Sequence, residues 1–178
     1  CLFIEEIASR ELDKTFQLLP QPQSIELTSG KGINYWELSY ILSSDTTSIP
    51  ILGDMLNKLP RCPRKGKPIR LQLTSQHVPA SPEGYMMEIN EKGVCISART
   101  MTGIFYGSQT LEQLMEDSRD FNILIPAMLI IDYPAISYRA VHFDVKHHLD
   151  RMEYYYQEID KLARYKINAV IWELEDKL

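Results

Sequence analysis

Residues 138–150, YRAVHFDVKHHLD, hold the densest group of side chains that could do chemistry. Arg139, Asp144 and three histidines fall within these thirteen positions, behind a run in which apolar residues alternate. Such a group suits a metal site, a catalytic strand end, or an ordinary strand with a polar exit. Which of these applies depends on the elements that hold the side chains.

A metal site is the weakest of the three interpretations. His147 and His148 are adjacent, so on an extended segment their side chains point apart, whereas zinc needs ligands that converge. By the same alternation His142 lies inside the strand, on the face of Ala140 and Asp144. We therefore expect no metal.

The elements around this group predict one β-α-β unit. A strand is expected over 139–145, a helix over 150–166 and a second strand over 167–174. Asp150 and Glu153 are spaced as a capping box for the helix. Strands joined by such a crossover are parallel.

A single β-α-β unit cannot bury itself, because it leaves sheet edges and one face open. Residues 135–178 are therefore predicted to open a larger α/β domain. We expect its apolar strands to pack on the preceding domain or on a second copy of the chain, which would make a homodimer. On its helix, Tyr155 and Tyr156 are predicted to face the core and Tyr154 the solvent.

The preceding residues, 19–134, predict an α+β domain with an antiparallel or mixed sheet and helices on one face. A hairpin is expected over 83–98, followed at once by a helix over 100–116. Gly103 and Gly107 share one face of that helix, which suggests that a sheet or helix approaches its backbone there. The other predicted elements are a short helix over 48–60 and extended segments over 24–32, 33–42, 68–75 and 121–134.

Composition limits the class of protein. The 178 residues are 44% hydrophobic and 24% charged, with a net charge of −5, and they carry no basic stripe, which disfavours nucleic acid as a partner. No apolar run approaches the roughly 18 residues of a membrane span. The cysteines, Cys1, Cys62 and Cys95, follow no disulfide or metal spacing. Cys1 suits either a cut from a longer chain or the acylated residue of a bacterial lipoprotein, which would place the protein in the periplasm, on the cell surface or outside the cell.

A family resemblance is carried by residues from 19 to 177. The chain resembles glycoside hydrolase family 20, the β-N-acetylhexosaminidases, in four segments: LPQPQSIELTSGKG, GYMMEINEKGVCISARTMTGIFYGSQTLEQL, IPAMLIIDYPAISYRAVHFDV and LARYKINAVIWELED. The resemblance implies a lead-in over 1–18 and a non-catalytic domain over 19–134. Residues 135–178 would then be strand 1, helix 1 and strand 2 of a (β/α)8 barrel, a fold of about 250 residues.

The resemblance also implies the chemistry. In this family the substrate's 2-acetamido group attacks the anomeric carbon, where most retaining glycosidases use a second carboxylate. An adjacent Asp–Glu pair on a later barrel strand orients the acetamide and supplies the acid. Glu175 and Asp176 follow strand 2 and are too early to be that pair. We therefore expect these 178 residues alone to be inactive, the glycan to be the partner, and no cofactor.

Two residues are carried over to the site: by resemblance, Arg139 and Asp176 bind the sugar. Asp144 and His148, at the end of the first strand, are interpreted as groups that hold the first barrel loop. An Arg fork suits vicinal hydroxyls because it offers several donors in fixed geometry. The alternatives are a structural ion pair for Arg139 and a solvated loop carboxylate for Asp176.

The chain departs from the family pattern at strand 2. Ile171 and Glu173 flank Trp172 where the family has two histidines, and Lys177 replaces an Asp. Two other functions therefore remain open. One is another glycosidase with a similar small domain, of the O-GlcNAc hydrolase or α-glucuronidase type. The other is a glycan-binding protein without turnover.

Overall fold

The chain divides into two compact units, residues 1–133 and 134–178. The predicted helix over 48–60 lies outside the described part of the chain. A computed structural model describes the following residues: Leu12, 14–43, 66–145 and 150–174.

The first unit is built on a six-stranded mixed sheet. Its order is β1-β6-β4-β5-β3-β2; the pairs from β1 to β5 are antiparallel, and β3 runs parallel to both β5 and β2. The predicted mixed sheet and the hairpin between β4 and β5 are confirmed. The strands are β1 Ser24–Leu27, β2 Leu38–Ser43, β3 Lys67–Leu73, β4 Tyr85–Asn90, β5 Gly93–Ala98 and β6 Met128–Asp132.

One long helix, α1 (Met101–Phe121), covers a face of this sheet and contacts β3, β4 and β5. Thr100 caps it, since its side chain accepts a hydrogen bond from the Gly103 amide. The helix ends at Asn122, whose φ of 52° and ψ of 45° are the left-handed conformation of a helix stop. The predicted helix is thus confirmed and continues five residues beyond the predicted end at residue 116.

The two glycines of α1 lie against the sheet, as predicted. A Cβ on Gly103 would stand 2.3 Å from the carbonyl oxygen of Gly84, and one on Gly107 2.6 Å from Cγ2 of Ile96. Because any side chain would collide there, glycine is what allows the helix to sit this close to β4 and β5.

The core lies between α1 and the sheet. Tyr85, Met87 and Ile89 alternate along β4 and are fully buried, and Leu111 and Leu114 of α1 are fully buried with them. Each large apolar side chain buried in this way contributes roughly 1.5–3 kcal/mol.

Residues before β1 also belong to this core. Phe16 and Leu18 are each 7% exposed, so the core includes side chains that precede the predicted domain start at residue 19. Gln113 of α1 holds the adjoining backbone of Leu19: its Oε1 accepts from the Leu19 amide and its Nε2 donates to the Leu19 carbonyl, both at 2.8 Å. This reciprocal pair replaces the hydrogen bonds that a neighbouring strand would supply.

A 3-10 turn, Tyr35–Glu37, interrupts the strand predicted over 33–42. Asn34 starts it: the Asn34 carbonyl accepts from the Glu37 amide at 3.0 Å, and the Asn34 amide donates to the Glu37 carboxylate at 3.1 Å. A hydrogen bond from Lys67, 2.8 Å away, followed by the one from the Asn34 amide, lowers the pKa of Glu37. Local side-chain hydrogen bonds thus outweigh the strand composition of this segment.

A buried polar network lies beneath α1. The hydroxyls of Tyr85 and Thr110 are 2.6 Å apart, and Asp132 Oδ1 accepts from the amides of Tyr133 at 2.9 Å and Gln23 at 3.3 Å. Burial, reinforced by the charge of Asp132, raises the pKa of Tyr85 well above its ordinary value. The phenol therefore stays protonated in the core.

The second unit is a β-α-β unit with a two-stranded parallel sheet, as predicted. Its elements are β7 Ala140–Asp144, α2 Met152–Arg164 and β8 Ala169–Glu173.

The predicted capping box of α2 is wrong. The N-cap is Arg151, with no side-chain capping hydrogen bond, so Glu153 stands one position too early to complete a box. Asp150 instead donates its backbone amide to the Tyr155 hydroxyl, at 3.1 Å.

Only part of the predicted apolar stripe of α2 is covered. Tyr155 is 3% exposed and Tyr154 is 44% exposed, as predicted, but Tyr156, predicted to face the core, is 61% exposed. Two strands offer room for one aromatic row, and Tyr155 occupies it. The prediction for Tyr156 is therefore wrong within this unit.

Candidate functional site

The two faces of the β7–β8 sheet differ in character. One face packs on α2 through three rings: the Tyr155 centroid lies 5.8 Å from that of Phe143 and 4.9 Å from that of Trp172. Because successive side chains of a strand alternate, the neighbouring residues point the other way. That second face, here called the open face, carries Ala140, His142, Asp144, Ala169, Ile171 and Glu173.

The open face becomes acidic towards the carboxyl ends of the strands. Small residues, Ala140 and Ala169, pair at the amino ends, and Asp144 pairs with Glu173 at the carboxyl ends. Neighbouring strands lie about 4.8 Å apart, so these two carboxyl-bearing residues are direct neighbours. The carboxyl ends of parallel strands are where α/β proteins bind ligands.

His142 reaches diagonally along the open face. It pairs in register with Ile171, yet its Nε2 lies 2.9 Å from Oε2 of Glu173, two residues further on. The burial pattern of β7 agrees with the prediction that His142 shares a face with Asp144. Glu173 joins that face, and contacts His142, because of the register between the strands.

Arg139 lies at the opposite end of β7. Its Nε donates to the carbonyl of Lys166 and one terminal nitrogen to that of Ile136, both at 2.7 Å, while its amide donates to Asn168 Oδ1 at 2.9 Å. Five residues of extended chain put it roughly 17 Å from Asp144. These contacts make Arg139 a tie between the segments that enter β7 and β8, and its predicted sugar contact stays a prediction.

Two predicted site residues, His148 and Asp176, lie outside the described part of the chain. Of the four predicted site residues, the structure thus places Arg139 and Asp144, and it sets them at opposite ends of one strand.

The described ranges hold no group of three or more His, Cys, Asp or Glu side chains that could bind a metal ion. Among the helices described, none has the length and apolar character needed to cross a membrane.

Comparison with known proteins relates the chain to hexosaminidases. A β-hexosaminidase of Porphyromonas gingivalis is 36% identical over 105 residues, covering 56% of this chain and 14% of the relative. A β-N-acetylhexosaminidase of Cellulomonas fimi is 27% identical over 175 residues, covering 89% of this chain and 34% of the relative.

The fold agrees with solved structures. A mutant Streptomyces plicatus β-hexosaminidase in complex with its product GlcNAc superposes with a TM-score of 0.74 at 28% identity, covering 91% of this chain and 35% of that chain. The chain thus spans about a third of the length of the Cellulomonas and Streptomyces proteins.

The family of the chain is shown by its first unit. Residues 15–133, more than half of the chain, match the profile of glycosyl hydrolase family 20, domain 2. The chain belongs to glycosyl hydrolase family 20.

Proposed function

We propose that residues 134–178 form strand 1, helix 1 and strand 2 of a (β/α)8 barrel. Three features support this: the strands are parallel, the helix covers one face of them, and the polar side chains collect on the open face. In such barrels the helices form the outer ring and the opposite strand face points inward. The exposed apolar residues of α2, Met152 and Tyr156, would then be covered by neighbouring barrel helices.

The protein that contains this chain is a hydrolase that removes terminal N-acetylhexosamine from glycans by substrate-assisted retaining hydrolysis. The observation that carries this proposal is that the likeness to hexosaminidases runs through both units, and not only through the small domain. The open face then supplies part of a sugar pocket, because barrel active sites lie at the carboxyl ends of the strands.

Each site residue takes a role suited to its place. Asp144, the last residue of β7, holds the first loop beside the pocket, with His148 following it, and Asp176 accepts hydrogen bonds from sugar hydroxyls. Arg139 ties the amino ends of the strands together. The acid pair of the family is not among these 178 residues, so the chain alone should have no hydrolytic activity.

Hydrolysis of an aryl β-N-acetylglucosaminide by the full-length protein tests the proposal, with the 178-residue chain as the control. Turnover by the full-length protein alone is expected. Turnover by the 178-residue chain would contradict the assignment of the acid pair, and silence of the folded full-length protein would contradict the hydrolase.

A second function, glycan binding without turnover, is favoured by one observation. Glu173 stands where the family has a histidine, and it is engaged by His142. If the full-length protein retained N-acetylglucosamine yet never cleaved the aryl glycoside, this function would replace the first.

A further inference from the structure

We propose that His142 and Glu173 form a positioning pair: the imidazole holds the Glu173 carboxylate in one orientation, turned back from Asp144, and thereby shapes the sugar pocket. The inference rests on the proposed function, because it assigns the pair to that pocket.

The first support is the row of two acids. Asp144 and Glu173 are register partners, and like charges directly opposite each other on a sheet repel. Without a partner, Glu173 would turn away from Asp144 in any of several rotamers. The contact with His142 Nε2, at 2.9 Å, selects the Glu173 rotamer in which the carboxylate points back along the strands, towards the register pair that contains His142.

The second support is exposure. The side chains of His142 and Glu173 are 48% and 38% exposed on the open face. Pairs this open to water contribute little to stability. The consequence of the pair is therefore geometric, and it should appear in substrate affinity and not in the melting temperature.

Two other roles predict different results. If Glu173 itself touched the sugar, its carboxylate would have to stay on β8. If the pair only stabilised the unit, loss of affinity would follow loss of thermal stability. The exchange variant H142E/E173H keeps the pair but moves the carboxylate to the other strand, so it separates positioning from direct contact.

The experiment measures KM and kcat for the aryl β-N-acetylglucosaminide in the full-length protein. We expect H142L and E173L each to raise KM about fivefold with little change in kcat or Tm, and the double variant to be no worse than either. H142Q keeps a nitrogen donor at the same reach and H142E/E173H keeps the pair, so both should stay within about twofold of the parent protein.

K161M is the matched control. Lys161 pairs with Glu158 at 2.6 Å in the same unit, but on the exposed surface of α2, so its loss should leave KM unchanged. An equal rise in KM for K161M would overturn the proposal. An unchanged KM for H142L would also overturn it, as would a KM for the exchange variant H142E/E173H that is raised as much as that of E173L.

A second readout keeps this inference distinct from the proposed function. If the full-length protein does not hydrolyse the glycoside, the hydrolase fails, and calorimetry with N-acetylglucosamine decides on the pair. A Kd that H142L raises about fivefold and that the exchange variant H142E/E173H restores supports the positioning pair. An unchanged Kd, or no binding by the parent protein, overturns it.

Discussion

Changing Gln113 to Glu should destabilise the first unit strongly and in a pH-dependent way. The amide of Gln113 exchanges two 2.8 Å hydrogen bonds with the Leu19 backbone, and its side chain is almost fully buried. Q113E keeps the acceptor for the Leu19 amide but places a carboxylate oxygen against the Leu19 carbonyl oxygen. The loss of the donated hydrogen bond, together with two acceptor oxygens facing each other in a buried site, should lower the free energy of unfolding by about 3 kcal/mol.

The sign of the pH dependence follows from linkage. Burial and the facing carbonyl raise the pKa of the new carboxyl in the folded state above its unfolded value of about 4.3. The cost is therefore complete above the folded pKa and is lost as the pH falls through the unfolded value, so little of it remains at pH 4.0. The protonated acid can again donate to the Leu19 carbonyl, so Q113E should approach the parent chain in stability.

Urea unfolding at pH 7.5 and pH 4.0 measures this difference. Trp36 lies in the first unit and Trp172 in the second, so a W172F background makes tryptophan fluorescence report the unit that holds Gln113. Q109E, the same change one turn earlier at a half-buried position, is the control, expected to shift stability by less than about 0.5 kcal/mol. Equal losses at both pH values, or in both variants, would refute the reasoning.

Three further changes test the packing. G103A should lower the free energy of unfolding by about 2–3 kcal/mol, because its Cβ would stand 2.3 Å from the Gly84 carbonyl oxygen. A Tm within 1 °C of the parent chain corresponds to a loss of only about 0.2 kcal/mol and would contradict the close approach. Y85F should cost about 1–2 kcal/mol, because the buried Thr110 hydroxyl loses its 2.6 Å partner, as urea unfolding at pH 7.5 would show. R139Q should speed amide exchange in β8, and unchanged exchange would contradict the tie; a loss of sugar affinity in the full-length protein would confirm the sugar contact predicted for Arg139.

Local patterns predicted most of the first unit. The glycines at 103 and 107 indicated a close approach because two glycines in one helix have a cost that only packing offsets, and the structure confirms that approach. The hairpin and β3 followed from alternation and a glycine turn, which are also local signals.

Long-range contacts were beyond the reach of pattern. Gln113 and Leu19 are 94 residues apart, and nothing in either segment indicates the other. Tyr156 shows a second limit of sequence patterns. Helical spacing predicts an apolar stripe on α2, but how much of that stripe is buried depends on how many strands face the helix.

In the candidate site, too, the sequence pattern predicts some features and not others. Alternation predicted the face of His142, whereas its contact with Glu173 is set by the register of β7 on β8. Arg139 has the right chemistry for hydroxyls, but its place at the amino end of β7 follows from the direction of the strands, which a residue type does not encode.

The edge of the first sheet has a consequence for how such a domain can be joined to others. β1 pairs with β6, so Ser24 lies beside Ile131 although 107 positions separate them in the chain. The chain therefore enters β1 and leaves β6 at the same edge of the sheet. A sheet whose first and last strands adjoin can be appended to another domain, inserted into one of its loops, or circularly permuted without stretching its backbone. The new ends of a permuted form are best placed at Glu91–Lys92, the exposed turn between β4 and β5.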